Sequence, residues 1–512
     1  MAQRTPRRSY DEYPDRDYDR SYDGYDDSRR PPVRTGTGAA SGQRRASSGQ
    51  RRSSSGRPSA YSEPRRSGSG GYSSRRPPVR GTNRKRKKKK GVKGLVALLI
   101  VLAVLAAGVI FVLSSGILKQ PEAEVVVEED NRPLPAAPAV VSNATIGSTG
   151  DIILHVPILD AHAVGDDYDF SYCFANVAPV YQKPDLMFAN LEVTLGGPES
   201  GEYTGYPGFN SPDAIVPALK NAGVDVCLTA NNHANDTGYY GMMRTLEVLD
   251  EYGMEHLGSR EDTEEKYLMI KNINGIRLGM LCYTYDTREY TEGEKSLNFN
   301  YLSDEGVQKI STFNYDYLDE FYADVQKQLE YMDMLNIDAS VVFMHWGAEY
   351  EDVPNALQTE IAQHLCEMGV DVIIGGHPHV IQKFDTLTSS DGHETICLYS
   401  MGNELSNQRA DIMDEDGNRG YTEDGLVMQV SFEKFNNGKV RISGVDIIPT
   451  WVELDGTGYQ IIGLEGEDPW SWGAGDTYAA INSYNRTLER LSEAYPAYRA
   501  EKGQSQVAGS IE

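Results

Sequence analysis

Apolar and polar positions along the chain pick out three short strand-like runs, each ending at or just before a histidine. VDVCLTA leads into Asn231-Asn232-His233, ASVVFM into His345, and VDVIIG into Gly376-His377-Pro378-His379. Unbroken apolar runs of this length suit strands covered on both faces. In an open α/β sheet, ligands gather beyond the carboxyl ends of the strands, so polar side chains placed just after such runs converge on one site. Four of the nine histidines, His233, His345, His377 and His379, occupy these positions. Neutral imidazole is the commonest side-chain ligand for a borderline metal ion, and the pattern therefore predicts a metal site.

The remaining elements follow from the same kind of pattern. TIGSTGDIILHVPI contains a first strand with Gly150-Asp151 inside it, and DLMFANLE, ending at Glu192, is a second. Residues 211–223 read as a helix, with Ser211 as N-cap, Pro212 in the first turn and Gly223 at the end. Residues 238–252 place Met242, Met243, Leu246 and Leu249 on one helical side before Gly253. Asn274-Gly275, between two apolar runs in 267–284, is a hairpin signal, so the sheet is not all parallel. A tyrosine-rich insertion of about thirty residues follows, then helices over 317–336 and 357–368 around ASVVFM. VIQKFDTL, TICLYSMGN, GLVMQVSFEK and KVRISGVDIIPTWVEL predict a second sheet, and residues 476–499 a last helix.

The front of the chain is of another kind. Residues 95–113 form an uninterrupted apolar run of 19, which as a helix nearly matches a hydrocarbon core of about 30 Å. RKRKKKKGVK lies immediately before it, which predicts a single-pass membrane helix with a cytoplasmic N-terminus and an extracytoplasmic C-terminal domain. A secretory signal peptide would need a charged region about ninety residues long, far beyond the usual. Residues 1–93 are Ser, Gly, Arg, Tyr and Pro with few large aliphatics, a composition that predicts disorder. The organisation is thus a basic cytoplasmic tail (1–93), a transmembrane helix (94–118), an acidic Pro/Ala-rich stalk (119–144), a folded domain (145–455) and a C-terminal extension (456–512).

Charge separates the two sides. Residues 1–93 carry 26 Lys+Arg against 9 Asp+Glu, net +17, and the rest carries 23 against 66, net −43. An acidic outer domain excludes nucleic acid as its partner, while the basic run beside the apolar helix fits anionic lipid headgroups. The five cysteines are scattered singly, which fits buried thiols rather than a disulfide framework.

Gly150-Asp151, Asn190-Leu191-Glu192, Asn231-Asn232-His233 with Asp236, His345-Trp346-Gly347 with Glu349-Tyr350, Gly376-His377-Pro378-His379 and Tyr399-Ser400-Met401-Gly402-Asn403 occur in this order. The ordered set resembles the poly-γ-glutamate capsule-synthesis (CapA) family, which looks like a branch of the calcineurin-like metallophosphoesterases, and covers about residues 145–452. The resemblance implies an α/β fold, a four-layer α/β/β/α sandwich with the metal site at one edge of two facing sheets. It implies one or two divalent ions, Mn, Fe or Zn, with Asp151 and His379 on one, Asn232, His345 and His377 on the other, and Glu192 near both. It places His233, with Asp236, as the catalytic pair, and Asn190, Trp346, Glu349 and Asn403 as residues that bind substrate or orient ligands.

Two departures from the superfamily pattern stand in the sequence. Asp151 is followed by Ile152 and Ile153 where an Asp-x-His motif is usual, and Asn190-Leu191-Glu192 replaces GDxxD. Trp346 reads equally as core packing or as a cleft wall, and Asn403 as a turn residue or a site residue. His155 and His162 read as solvated surface, and His256 and His364 as ordinary helix or strand-edge residues. The expected function is capsule or poly-γ-glutamate synthesis or export, with a metal-dependent hydrolase site. The alternative is a non-catalytic component that binds capsule or wall polymer beside membrane synthase or export subunits.

Overall fold

The computed structural model describes residues 102–108, 110–111, 137–262, 267–286, 295–413, 420–505 and 511. The tail 1–93, most of the apolar run 95–113 and most of the stalk lie outside these residues. Residues 102–108 and 110–111 are helical, and among the described residues no helix is long and apolar enough to cross a membrane.

From residue 137 the chain enters along β1 (Val140–Ile152), so the strand begins inside the stretch read as stalk. Beside it lie β2 (Leu186–Leu191), β3 (Val226–Leu228) and β4 (Glu255–Leu257), all parallel, linked through α1 (Ile215–Ala222) and α2 (Gly238–Glu251). Ser211 does not cap α1: the helix starts four residues later, after Ala214, and ends at Gly223 with φ +115°.

A second sheet follows, from β5 (Met269–Ile273), β6 (Ile276–Tyr285), β7 (Thr312–Phe313), β8 (Ala339–His345), β9 (Val372–Gly376), β10 (Phe384–Thr388) and β11 (Glu394–Leu398). The Asn274-Gly275 turn joins β5 to β6, with both residues at positive φ. Helices α3 (Leu318–Met334) and α4 (Ala356–Glu367) precede β8 and β9. The chain then returns through β12 (Asn403–Leu405), β13 (Asp424–Phe435), β14 (Val440–Leu454) and β15 (Tyr459–Gly463).

The first sheet has eight strands in the order β15-β14-β13-β1-β2-β3-β4, with β12 alongside the end of β1. The second has seven, ordered β7-β6-β8-β9-β11-β10, with β5 paired to β6. The strand-rich last third therefore does not form a sheet of its own. β10 and β11 extend the second sheet, and β12 to β15 complete the first.

Alternation along the strands builds the layers. Ile276, Leu278, Met280 and Cys282 of β6 face Phe188 and Val226 of the first sheet in one buried cluster. Leu281 and Tyr283 face the other way, onto Phe321 and Val325 of α3 and Ile361 of α4. Met187, Ala189 and Leu191 of β2 turn outward onto α1 and α2. The order of layers is helix, sheet, sheet, helix, each sheet burying both faces.

The single helix expected over 476–499 is two, α5 (Thr477–Arg490) and α6 (Ala494–Glu501), broken at Ser492 with φ +64°. Pro496 explains the break, because a proline ring clashes with the carbonyl four residues earlier in a continuous helix. Tyr495 and Tyr498 of α6 pack on Phe384, and β15 is an edge strand of the first sheet. Residues 459–501 are thus an integral part of the folded unit. All five cysteines are free and buried.

Glu404 ties β12 into this frame, accepting from the Tyr181 hydroxyl at 2.5 Å and the Thr450 hydroxyl at 2.8 Å. Burial pushes its carboxyl up to about 7, so ionisation opposes folding. Stability is lost as pH rises from the unfolded value near 4.5 through about 7, and the loss persists above. Glu404→Gln, which keeps an oxygen for Tyr181, is expected to outlast the wild type at pH 8 by roughly 3 kcal/mol and to match it near pH 4. Denaturant unfolding at both pH values checks this.

Candidate metal centre

Two backbone irregularities aim the site. Along β1 the register slips between Thr149 and Asp151, so that Thr149 pairs with Ala189 and Asp151 with Asn190. This bulge at Gly150 turns Asp151 to the inner face, where strict alternation would send it outward with Thr149. Only glycine fits there, since a Cβ would lie 2.1 Å from the Gly402 carbonyl oxygen. Beyond β9, His377 and His379 both hold positive φ, +95° and +57°, a strained backbone of the kind that collects at functional sites. The strain is offset in part by the His377 backbone N–H, which donates to Asp151 Oδ2 at 3.0 Å.

Around this point the ends of β1, β2, β8 and β9 deliver Asp151, Glu192, His345, His377 and His379, all buried. Two triads there have ligand atoms within 4.8 Å of one another: Asp151, Glu192 and His345, and Glu192, His377 and His379. Glu192 belongs to both. Its Oε1 lies 3.4 Å from His345 Nε2 and 4.0 Å from His379 Nε2 and accepts no hydrogen bond. His377 Nδ1 is likewise buried without a partner. Bare buried polar atoms cost free energy, so two of them on residues of one cluster of carboxylates and imidazoles fit a divalent cation.

The surrounding amides set the orientation of these ligands. Asn190 Nδ2 reaches Asp151 Oδ1 at 2.7 Å and Glu192 Oε2 at 3.2 Å, and its oxygen is held by Asn231 Nδ2 at 3.0 Å. Asn232 Oδ1 lies 2.7 Å from His345 Nε2. Asn403 spends its amide hydrogens on Gln408 and the Thr422 carbonyl, which leaves Oδ1 facing His379 Nδ1 at 3.1 Å. His379 then donates from Nδ1 and presents Nε2 to the centre.

The electrostatics describe a cluster short of positive charge. Burial, then the charge of Asp151, drives the Glu192 carboxyl well above its usual range. Burial also works against a charged His379, yet the Glu192 and Asp151 carboxylates carry it up to about 9. Burial holds His345 down to about 4 and His377 well below the normal imidazole value. Asp151 resists its own burial through the His379 hydrogen bond and the charges of His345 and His379, and stays below the usual carboxylate value. A proton on His379 thus supplies some of the positive charge that a divalent ion would bring.

His233 stands to one side of the triads. Its Nδ1 lies 2.7 Å from Asp236 Oδ2, which also accepts from the Phe209 backbone N–H at 2.7 Å. Burial disfavours the imidazolium, but the charge and hydrogen bond of Asp236 raise His233 above its ordinary value. Glu349 is exposed in the turn after β8, and its charge still acts on His379, His345 and His233.

Trp346 does not line a cleft. Its indole is wholly buried on the outer face of the second sheet, stacked on Tyr399 and donating to the Tyr399 carbonyl at 2.9 Å. His155 and His162 are also not surface residues. His155 accepts from the Asn407 backbone N–H and packs edge-on against Phe209, and burial pushes it down to about 3. His162 accepts from the Tyr459 backbone N–H and meets the Cys173 thiol at 3.3 Å.

Sequence reasoning passed over Tyr285, the last residue of β6, whose hydroxyl lies 3.0 Å from His377 Nε2. Its position at yet another strand end was the available signal. With Nε2 bound there, Nδ1 is the ring nitrogen of His377 left without a partner. Tyr285→Phe is expected to weaken metal binding about 10- to 100-fold with the fold intact, measured by competition with a chromogenic chelator.

With this geometry in view, comparisons place the chain. The family described as bacterial capsule synthesis protein PGA_cap matches residues 145–408, just over half of the sequence. The chain belongs to this family. It is 28% identical over 275 residues to the capsule biosynthesis protein CapA of Bacillus anthracis, covering 52% of this chain and 60% of that protein. It is 26% identical over 287 residues to the PGA biosynthesis protein CapA of Bacillus subtilis (strain 168), covering 55% and 66%. The chain therefore spans less than two thirds of the length of either relative. Among solved structures, the NAD nucleotidase of Haemophilus influenzae aligns with 13% identity and a TM-score of 0.36, covering 71% of this chain and 60% of that one. The calcineurin-like phosphoesterase YfkN of Bacillus subtilis aligns with 14% identity and a TM-score of 0.34, covering 68% and 98%.

Proposed function

We propose that this PGA_cap protein is a metal-dependent hydrolase or transferase in the synthesis or export of an anionic capsule polymer of the poly-γ-glutamate kind. In this reading residues 95–113 anchor it in the cell membrane, with the folded domain outside beside synthase or export subunits. The observation that carries the enzymatic part is Glu192, shared by both triads, with Oε1 buried and without a hydrogen-bond partner.

Bound at Asp151, Glu192, Asn232, His345, His377 and His379, one or two ions of Mn, Fe or Zn would acidify a water and polarise a phosphoryl or acyl oxygen. The chain's own groups do the rest. Asn190, Asn403 and Tyr285 fix the orientation of the ligand side chains. His233, held by Asp236, supplies a proton or a positive charge to the leaving oxygen or nitrogen.

The test is hydrolysis of an aryl phosphodiester by the metal-loaded chain and by a His345→Ala, His379→Ala double variant. Turnover in the first and none in the second is the expected result. Stoichiometric metal without turnover on phosphodiester or γ-glutamyl amide substrates would overturn the enzymatic reading. The burial of all six ligand side chains, 0–3% exposed, favours the second reading, a non-catalytic component that handles the polymer.

A further inference from the structure

A second cavity, of about 180 Å³, lies between the second sheet and α3, on the opposite face of β6 from the inter-sheet core. Its lining includes Asp286, directly after β6, and Ser311, directly before β7, both buried. Asp286 is 6% exposed and Ser311 2% exposed, and neither Asp286 Oδ1 nor Ser311 Oγ has a hydrogen-bond partner. Its wall is aromatic, with Tyr283 and Phe313 inside and Tyr317 toward the mouth.

Charge decides what such a cavity takes. Among the described residues, Asp286, Glu320 and Asp324 line it against one ammonium, that of Lys295, which donates to the Thr312 hydroxyl at 2.8 Å. The Arg260 guanidinium is stacked on the ring of Tyr267, 3.4 Å from its centroid; it is outside the lining, though its charge reaches Lys295, and the carboxylates still outnumber the two cations. Asp324 accepts from the Tyr283 hydroxyl at 2.8 Å, whereas Asp286 Oδ1 and Ser311 Oγ stay bare. Burial pushes the Asp286 carboxyl up to about 6, with the Lys295 charge and the hydrogen bonds of Asn314 and Thr312 offsetting only part of the effect.

We propose that this cavity is a binding site for a small organic cation carrying a primary ammonium group. The ammonium donates to Asp286 Oδ1 and Ser311 Oγ, its charge offsets the excess of carboxylates, and its alkyl part lies against the aromatic wall. A cavity of this size holds several waters or one such molecule, and water leaves the excess negative charge uncompensated. The site is independent of the metal centre and stands or falls without it.

The test is calorimetric titration of the purified full-length chain with 1,4-diaminobutane, and with butanesulfonate as the anionic control. Saturable one-to-one binding of the diamine and none of the sulfonate is expected. Asp286→Asn should weaken binding about tenfold or more, with an unchanged circular dichroism spectrum. Lys295→Gln, which removes the internal cation, should tighten it severalfold, a change that misfolding cannot mimic and that carries the test if Asp286→Asn fails to fold. No saturable heat from the diamine, binding indifferent to both substitutions, or sulfonate binding lost with Lys295 would each overturn the proposal.

Discussion

A Glu192→Gln chain is expected to fold normally and to lose its metal. Gln has the same shape as Glu and fills the same buried space, and burial alone works against the charge that it removes, so the substitution costs the fold little. The effect on metal is far larger, because Glu192 is the one residue common to both triads and its Oε1 is held by nothing else. Without it, Asp151 is left as the sole buried anion facing the ions, and affinity should fall by well over about a hundredfold. Thermal unfolding with and without added Mn²⁺ or Zn²⁺ checks this. The wild type should gain about 2.7 kcal/mol at metal concentrations near 100 times the dissociation constant. The variant should gain nothing, and an equal gain would remove Glu192 from the centre.

His233→Asn is expected to act in the opposite way, with metal content kept and turnover lost. His233 is in neither triad, and it is fixed by Asp236 at 2.7 Å and by the edge-on Phe209 ring. Loss of a positioned proton donor costs about 10²- to 10⁴-fold in rate. Asp236→Asn should give a smaller loss, since it leaves the imidazole in place and removes only the group that holds it and favours its charge. Parallel metal analysis and single-turnover kinetics separate the two roles. If His233→Asn lost metal in step with activity, His233 would be a ligand.

The parts of the site legible in the sequence were those governed by local pattern. An apolar run followed by a histidine signals a strand end, and β8 and β9 end where the runs over 339–344 and 370–375 predicted. Hairpin and helix-stop signals at Asn274-Gly275, Gly223 and Gly253 hold for the same reason, since positive φ at these positions is a property of a few residues. What local pattern does not carry is which sheet a strand joins. β10 and β11 stay with the second sheet while β12 to β15 cross back to the first, a choice made by partners up to 295 residues away.

The same limit explains the side chains misjudged. Trp346 follows a ligand histidine, but strand alternation sends neighbouring residues to opposite faces, and the indole goes to the helix side with Tyr399. His155 and His162 lie among aspartates in sequence and are covered by residues 407 and 459, which no local reading connects to them. Tyr285 was missed because its partner, His377, is 92 residues away. Asp151 was identified as a site residue, yet the reason it faces the site is the Gly150 bulge, visible only once β1 is paired with β2.

The central claim is that Asp151, Glu192, His345, His377 and His379 form a metal centre, and elemental analysis of the full-length chain tests it most directly. After metal loading and exhaustive dialysis at neutral pH, the account predicts between one and two tightly held divalent ions per chain, from the two triads. It also predicts loss of the bound metal in the His345→Ala, His379→Ala variant. A wild-type chain that retains no Mn, Fe or Zn under any loading condition would contradict it.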